Sequence, residues 1–298
     1  MCFWPKIARS QPPSSPSIDV DHSATTVLDT VRAADTDRYL SALYAPADRR
    51  DGLLALYAFN AEIAGVRDRI RETLPGEVRL QWWRDAIAAG SAATGHPVAD
   101  ALIETIARYD LPPAAFQNYL EARIFDLYND PMPSRTDLEG YCGETAGALI
   151  QTSAMLLDPA AAPNFAELAG RAGCAQAITG LLLMLPIHRA RGQCFVPREV
   201  LAAAGSSPED FVAGDGGAGS PRAIAAMIAL ATEHLVAFEQ AAGALPASLR
   251  PAFLPLALTG PYLGLLSSPR SDPLRRFVDL AGWRKQWLLL RRAMRGWP

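Results

Sequence analysis

The chain has 298 residues, of which half are apolar and a fifth are charged, and its formal net charge is −3. At this length a compact fold removes roughly 75% of the unfolded surface from water, so a hydrophobic core forms without disulfides or structural metals. The balanced charge argues against a generally basic surface, and we expect no nucleic-acid partner. Four cysteines without a CxxC pair exclude a zinc ribbon or a CxxC redox site and indicate reduced thiols in a cytoplasmic protein.

The first 22 residues are rich in proline and serine and lack helical periodicity, which predicts a disordered N-terminal tail. They also lack the run of about 7–15 apolar residues that a secretory signal requires. The longest apolar run, from Cys174 to Ile187, is shorter than the roughly 20 residues that span a bilayer. We therefore expect a single domain over residues 23–298 that is not an integral membrane protein.

From residue 23 onward, apolar residues recur at helical spacing, and no strand-type alternation is sustained. Prolines and glycines mark the breaks, including Leu74-Pro75-Gly76 and the glycine-rich loop 214–220. The loops between helices are short, which is typical of one compact all-α bundle. The predicted helices cover residues 26–43, 49–70, 77–89, 98–109, 114–128, 136–157, 164–185, 197–203, 221–242, 251–266 and 272–294.

Four blocks of sequence follow one another in a specific order. They are RRDGLLALYAF (49–59), DLYNDPMPSRTDLEGYCGETAG (126–147), the helix from Gln176 onward, and RGQCFVPREVLAAAGSSPED (191–210). Their order and spacing resemble the squalene and phytoene synthase family. The resemblance implies an isoprenoid-synthase-like helical bundle around a central apolar cavity, with Tyr57, Tyr141 and Gln176 at the pocket.

Enzymes of that family ionise an allylic diphosphate with Mg²⁺, which carboxylates one helical turn apart hold on two facing helices. In this sequence the first motif reads Ala64-Gly65-Val66-Arg67-Asp68, so the leading acid is replaced by Ala64. The second motif should fall near residues 183–188, which contain no carboxylate. One acid where four are expected does not assemble the usual cluster. We therefore expect no metal and no cofactor, with Mg²⁺ implied only for a working prenyltransferase.

The replacements change the charge expected at the cavity mouth. Asn60, Ala64, Arg67 and Asp68 share one helix face, and Glu62 lies off that face. On the facing helix, His188, Arg189 and Arg191 occupy the region of the missing acids. These basic groups either bind a phosphate or carboxylate head group directly, or pair with Asp68 and Glu62 and close the pocket. The predicted pocket residues are Tyr57, Asn60, Glu62, Arg67, Asp68, Tyr141, Gln176, His188 and Arg191.

Three runs, AFNAEIAGVRDRI, RLQWWRDAI and LPIHRARGQCFVP, resemble a narrower branch of the family, the mitochondrial complex I assembly factor. This branch resembles the synthases in fold and lacks their full Asp motifs. The resemblance implies a non-catalytic role in complex I assembly, a respiratory complex subunit or assembly intermediate as partner, and an apolar isoprenoid or lipid ligand. The alternative is a prenyltransferase that condenses two prenyl diphosphates. Acids at the cavity mouth beyond Asp68, such as Glu62 or Asp126, would favour the enzyme.

The C-terminal segment WRKQWLLLRRAMRGWP (283–298) carries five basic side chains and no acid, interleaved with tryptophan and leucine. A basic amphipathic helix that contains tryptophan is suited to an anionic membrane surface. This pattern predicts a peripheral contact at the inner face of the cytoplasmic membrane. The alternative is a last helix that packs its tryptophans and leucines into the core and exposes its arginines.

Overall fold

The computed structural model describes residues 17–70, 72–214 and 217–297, with side chains from residue 24 onward. These ranges contain helices and no strand, which confirms the all-α prediction. The α-helices of the described ranges are α1 (Ser17–Ala34), α2 (Thr36–Ala42), α3 (Ala47–Ala64), α4 (Val66–Arg69), α5 (Thr73–Ala89), α6 (Pro97–Arg108), α7 (Pro113–Arg123), α8 (Arg135–Cys142), α9 (Ala148–Leu157), α10 (Ala166–Leu183), α11 (Leu185–Ala190), α12 (Arg198–Ala203), α13 (Pro208–Ala213), α14 (Gly219–Ala242), α15 (Arg250–Phe253), α16 (Thr259–Leu266) and α17 (Gly282–Arg295).

Several connections between these helices are themselves helical but differently wound. Short 3₁₀ segments cover Ile124–Leu127, Ala162–Phe165 and Leu254–Leu258. A π-helical turn at Gly143–Gly147 joins α8 to α9. The predicted helix 136–157 is therefore one rod of two α-helices with a π turn between them, and such turns are frequent at functional sites.

The N-terminal boundaries differ from those expected. Residues 1–16 of the predicted tail lie outside the described residues, whereas residues 17–22 belong to α1, so the boundary at residue 23 falls inside a helix. The predicted helix 26–43 is divided at Asp35. The Asp35 carboxylate accepts a hydrogen bond from the backbone N–H of Arg38 at 2.9 Å and so caps α2.

Three prolines at the predicted breaks lie at the starts of helices. Pro97 and Pro113 begin α6 and α7, as expected for a residue without an N–H at the first turn. Pro75 was expected to end a helix, but it lies in the first turn of α5, where its missing N–H costs no hydrogen bond. The preceding helix ends earlier, at Arg69. Near the other end of the chain, the helix expected from residue 272 begins only at Gly282.

Helix α10 runs through the middle of the core, between α14 and the π-helical turn. A Cβ atom on Gly173 would lie 2.4 Å from the Cα of Gly147, so the two backbones meet where only glycine fits. Helix α14 is, within the described residues, the one helix long and apolar enough to cross a membrane by length and composition. A buried core helix passes the same test, and α14 packs along α10.

Candidate functional site

A cavity of about 570 Å³ opens where the end of α3, α4 and the loop before α2 face α10, α11 and the end of α7. Its size lies in the range of small-molecule sites. The sequence predicts an apolar cavity, and apolar side chains such as Leu181, Met184 and Phe195 do line it. Charged and polar side chains form the rest of the wall, in which arginines outnumber aspartates. The charged residues that line it are Asp35, Arg38, Arg67, Asp68, Arg69, Arg123, Asp126 and Arg191.

Seven of the nine predicted pocket residues line this cavity: Asn60, Arg67, Asp68, Tyr141, Gln176, His188 and Arg191. Tyr57 does not. It is buried under the guanidinium of Arg38, 5.9 Å from its ring centre, and burial raises the pKa of its hydroxyl to about 12 although Arg38 opposes this. Glu62 does not line it either, and its carboxylate accepts a hydrogen bond from Arg69 at 2.8 Å.

The helix face predicted from spacing is present. Asn60, Ala64, Arg67 and Asp68 all line the cavity, although α3 ends at Ala64 and α4 begins two residues later. Ala64 stands where the family motif has its leading acid, so Asp68 is the one carboxylate on this face. The chain therefore keeps the geometry of this face and changes its chemistry.

The facing helix differs from the prediction at one residue. Arg189 points away from the cavity, where its Nε donates to the Val212 carbonyl at 3.1 Å and its Nη1 donates to the Leu274 carbonyl at 2.8 Å. These bonds connect Arg189 to the last turn of α13 and to the segment before α17. Arg191, two residues later, does line the cavity. Of the two arginines expected in place of the family's acids on this side, Arg191 is therefore the one that brings positive charge to the cavity.

A hydrogen-bonded set of five side chains, here called the inner cluster, consists of Asn60, Tyr119, Arg123, Asp126 and Tyr141. The Nη1 of Arg123 donates to both Asp126 and the Tyr141 hydroxyl at 2.9 Å, and that hydroxyl donates to Asp126 at 2.8 Å. The Nε of Arg123 donates to the Tyr119 hydroxyl at 3.2 Å, which donates to Asn60 at 2.8 Å. The cluster joins α3, α7 and α8 across the cavity wall.

The protonation of the inner cluster follows from burial and mutual attraction. Burial by itself lowers the pKa of Arg123, but the oxygens of Tyr119, Tyr141 and Asp126 outweigh it, so the pKa lies well above its ordinary value. Burial also raises the pKa of Tyr141 well above its ordinary value, against the effect of Arg123. Arg123 is therefore charged and Tyr141 carries its proton at neutral pH.

The other two aspartates of the cavity are also paired with arginines. Asp68 forms an ion pair with Arg191, here called the outer pair, and half of the Asp68 side chain is exposed. Asp35 forms an ion pair with Arg38, whose Nη2 also donates to Gln176 at 3.1 Å. Each carboxylate that lines the cavity thus faces a guanidinium.

This donor set does not fit the magnesium cluster that the family resemblance implies. Magnesium takes an octahedral set of oxygen ligands that includes carboxylates, whereas the three cavity aspartates are each held by an arginine. Among the described residues, no three His, Cys, Asp or Glu side chains are grouped so as to hold a metal ion.

His188 lies near Asp126 and the outer pair, and its ring packs on Phe195 with ring centres 4.7 Å apart. Burial lowers the pKa of His188 to about 4; Asp126 opposes this shift, and Arg191 adds to it. The imidazole is consequently neutral at neutral pH. The positive charge of the cavity is therefore carried by arginines and not by His188.

Sequence reasoning missed several members of the wall. Arg38 follows Asp35 by three residues, and Arg123 precedes Asp126 by three residues. This spacing places the two members of each pair on one helical turn and predicts an ion pair. That signal was available in the printed sequence. Gln193, whose Nε2 donates to the Asp126 carbonyl at 2.7 Å, carries no such signal because its partner is 67 residues away.

A family model described as squalene/phytoene synthase matches residues 31–291. The chain belongs to this family. One solved relative in structure is a squalene synthase from Alicyclobacillus acidocaldarius, with a TM-score of 0.70 and 19% identity over 84% of this chain and 94% of that chain. This similarity confirms the isoprenoid-synthase-like fold.

Curated relatives divide between two kinds of protein. Complex I assembly factor 6 of Mus musculus is 30% identical over 67% of this chain and 60% of its own length. A 15-cis-phytoene synthase of Synechococcus elongatus is 27% identical over 62% of this chain and 64% of its own length. The chain therefore spans about 60% of each of these relatives.

Proposed function

We propose that this family member is not a prenyltransferase and acts in the assembly of respiratory complex I, at the inner face of the cytoplasmic membrane. The observation that carries the proposal is the pairing of each cavity aspartate with an arginine, which removes the carboxylates that diphosphate ionisation requires. Similarity to a complex I assembly factor supports a role in the assembly of that complex. The client is a complex I subunit or an assembly intermediate.

The cavity is proposed to hold an amphiphilic ligand of the isoprenoid or lipid type without a metal ion. Five arginines against three aspartates favour an anionic head group, which guanidinium groups bind through paired hydrogen bonds. Leu181, Met184 and Phe195, with small residues such as Ala61 and Ala177, form the apolar part of the wall. A prenyl or acyl chain contacts this part while the head group faces the arginines.

The ligand proposal is tested by mass spectrometry of lipids that co-purify with the protein and by calorimetric titration with farnesyl diphosphate in EDTA. We expect metal-free binding that weakens about tenfold in Arg191→Gln, since a hydrogen bond to a charged group contributes about 1.5–3 kcal/mol. Arg198→Gln, at an exposed arginine outside the cavity, is the matched control. Binding that requires Mg²⁺ contradicts the proposal.

Two observations favour a second candidate, a prenyltransferase that condenses two prenyl diphosphates. One is the similarity to phytoene synthases, and the other is that Asp35 and Asp126 line the cavity beside Asp68. An assay of pyrophosphate release from farnesyl and geranylgeranyl diphosphate with Mg²⁺ separates the two. We expect no turnover above background. Release at an ordinary enzymatic rate, of about 1 per second or more, establishes the enzyme instead.

The assembly role is tested in the host organism. Deleting the gene should lower the amount of assembled complex I and its NADH oxidation, and the wild-type gene should restore both. Full complex I content in the deletion strain contradicts the assembly role, whatever the outcome of the ligand titration.

A further inference from the structure

One side of α17 is fixed to the rest of the fold. Leu289 is fully buried. The Nζ of Lys285 lies 3.1 Å from Asp37 and 2.8 Å from Asp279, and Arg292 lies 3.6 Å from Glu239. Contacts on three successive turns hold the helix in one orientation, so its opposite side has a defined direction.

That opposite side presents large apolar side chains to solvent. Trp283 is 73% exposed, Trp287 59%, Leu290 38% and Met294 72%. Their spacing of four, three and four residues places all of them on one stripe of the helix. The alternative prediction of a core-packing helix is therefore wrong for these two tryptophans, and a stripe of this size on a soluble surface marks an interaction site.

Trp297 does not belong to the stripe. It is buried, with its ring 5.4 Å from that of Phe238 and the Arg292 guanidinium 5.8 Å from its centre. Trp297 and Arg292 therefore close the core, and a test of the exposed surface has to leave both unchanged.

A row of arginines runs beside the apolar stripe. Arg284, Arg291 and Arg295 are exposed, and their spacing of seven and four residues places them on one side of the stripe. Residues 270–298 carry eight basic and two acidic side chains, a formal charge of +6 in a chain whose net charge is −3. The C-terminal segment that contains this helix is therefore basic, whereas the rest of the chain carries a net negative charge.

We propose that this surface of α17, made of Trp283, Trp287, Leu290 and Met294 with Arg284, Arg291 and Arg295, docks on an anionic lipid bilayer. Tryptophan rings lie favourably at head-group depth, and each basic residue near an anionic surface adds about 1 kcal/mol of attraction. The charge argues against a second copy, because two such surfaces repel each other. It also argues against residues 1–16 as a cover, because their charged residues are Lys6 and Arg9.

The test is co-sedimentation of the full chain with vesicles of phosphatidylcholine alone and with one third phosphatidylglycerol. We expect binding to the anionic vesicles that weakens as salt rises, because charge attraction at a surface is screened over about 10 Å at 0.1 M salt. The triple variant Arg284→Gln, Arg291→Gln, Arg295→Gln should bind up to about a hundredfold more weakly. The triple variant Arg32→Gln, Arg108→Gln, Arg198→Gln makes the same charge change at exposed sites elsewhere and should bind like wild type.

The apolar stripe is tested separately. Trp283→Ser with Trp287→Ser should reduce binding with an unchanged melting temperature, whereas Leu74→Ser with Val78→Ser, at two exposed apolar residues of α5, should not. Absence of vesicle binding at low salt, equal binding to both vesicle types, or concentration-dependent dimers that the tryptophan variant abolishes would each overturn the proposal. None of these results depends on the pocket ligand or on complex I.

Discussion

The inner cluster and the outer pair place the same two functional groups, a guanidinium and a carboxylate, in the same cavity but in different surroundings. The side chains of Arg123 and Asp126 are each 15% exposed, and two tyrosine hydroxyls complete their hydrogen bonds. The side chains of Arg191 and Asp68 are 31% and 50% exposed. Removing one charge of the Arg123–Asp126 pair leaves the other charge buried and unpaired, which destabilises the fold. Water screens the more exposed outer pair, so its loss costs less.

The largest expected effect is on the inner cluster. Arg123→Met leaves the Asp126 carboxylate without its cation and removes the donor from which the Tyr119 and Tyr141 hydroxyls accept. We therefore expect the free energy of unfolding to fall by about 3 kcal/mol. Urea unfolding followed by circular dichroism measures this.

The double variant Arg123→Met, Asp126→Asn is the control for the inner cluster. It removes both charges and should be more stable than Arg123→Met alone, because no unpaired charge remains. If the double variant loses as much as the sum of the two single variants, the two charges are not coupled and the comparison fails.

His188 gives an intermediate effect that depends on pH. Its pKa is about 4 in the fold against about 6.5 in the unfolded chain, so only the unfolded chain takes up the proton as the pH falls through this window. The contribution of the neutral His188 to the free energy of unfolding is complete above about pH 6.5 and is lost progressively towards pH 4. Between pH 7.5 and 5.0 we expect a loss of about 2 kcal/mol.

The matched variant His188→Gln removes this titration and leaves the other acids and histidines in place. Its free energy of unfolding should fall less than that of wild type over the same pH interval. Identical pH profiles for the two proteins would show that His188 is accessible to protons in the fold.

The smallest effect on stability is expected at the outer pair. Arg191→Gln and Asp68→Asn should each change the free energy of unfolding by less than about 1 kcal/mol, since partly exposed ion pairs contribute little. Their effects on metal-free binding of inorganic pyrophosphate should be opposite, because one removes a positive charge and the other removes a competing carboxylate. Calorimetric titration measures both, and changes in the same direction would place the anion away from Arg191.

Local spacing was enough for the parts of the site that lie on one helix face. The face formed by Asn60, Ala64, Arg67 and Asp68 follows from the helical period. The break at Gly65 does not disrupt it, because Gly65 keeps right-handed helical backbone angles and all four residues line the cavity. The same argument failed for Arg189, because side-chain direction at the end of a short helix depends on which carbonyls lie within reach.

Sequence by itself determined the helical class, the family and the loss of the paired acids, because helical period and motif spacing are properties of neighbouring residues. Only the tertiary structure decided that Asp35, Asp68 and Asp126 line one cavity, that Arg191 pairs with Asp68, and that α17 turns two tryptophans outward. Those outcomes depend on contacts such as Gln193 with Asp126 and Lys285 with Asp37, which join residues 67 and 248 positions apart. No local pattern encodes such distances, since the packing of whole helices sets them.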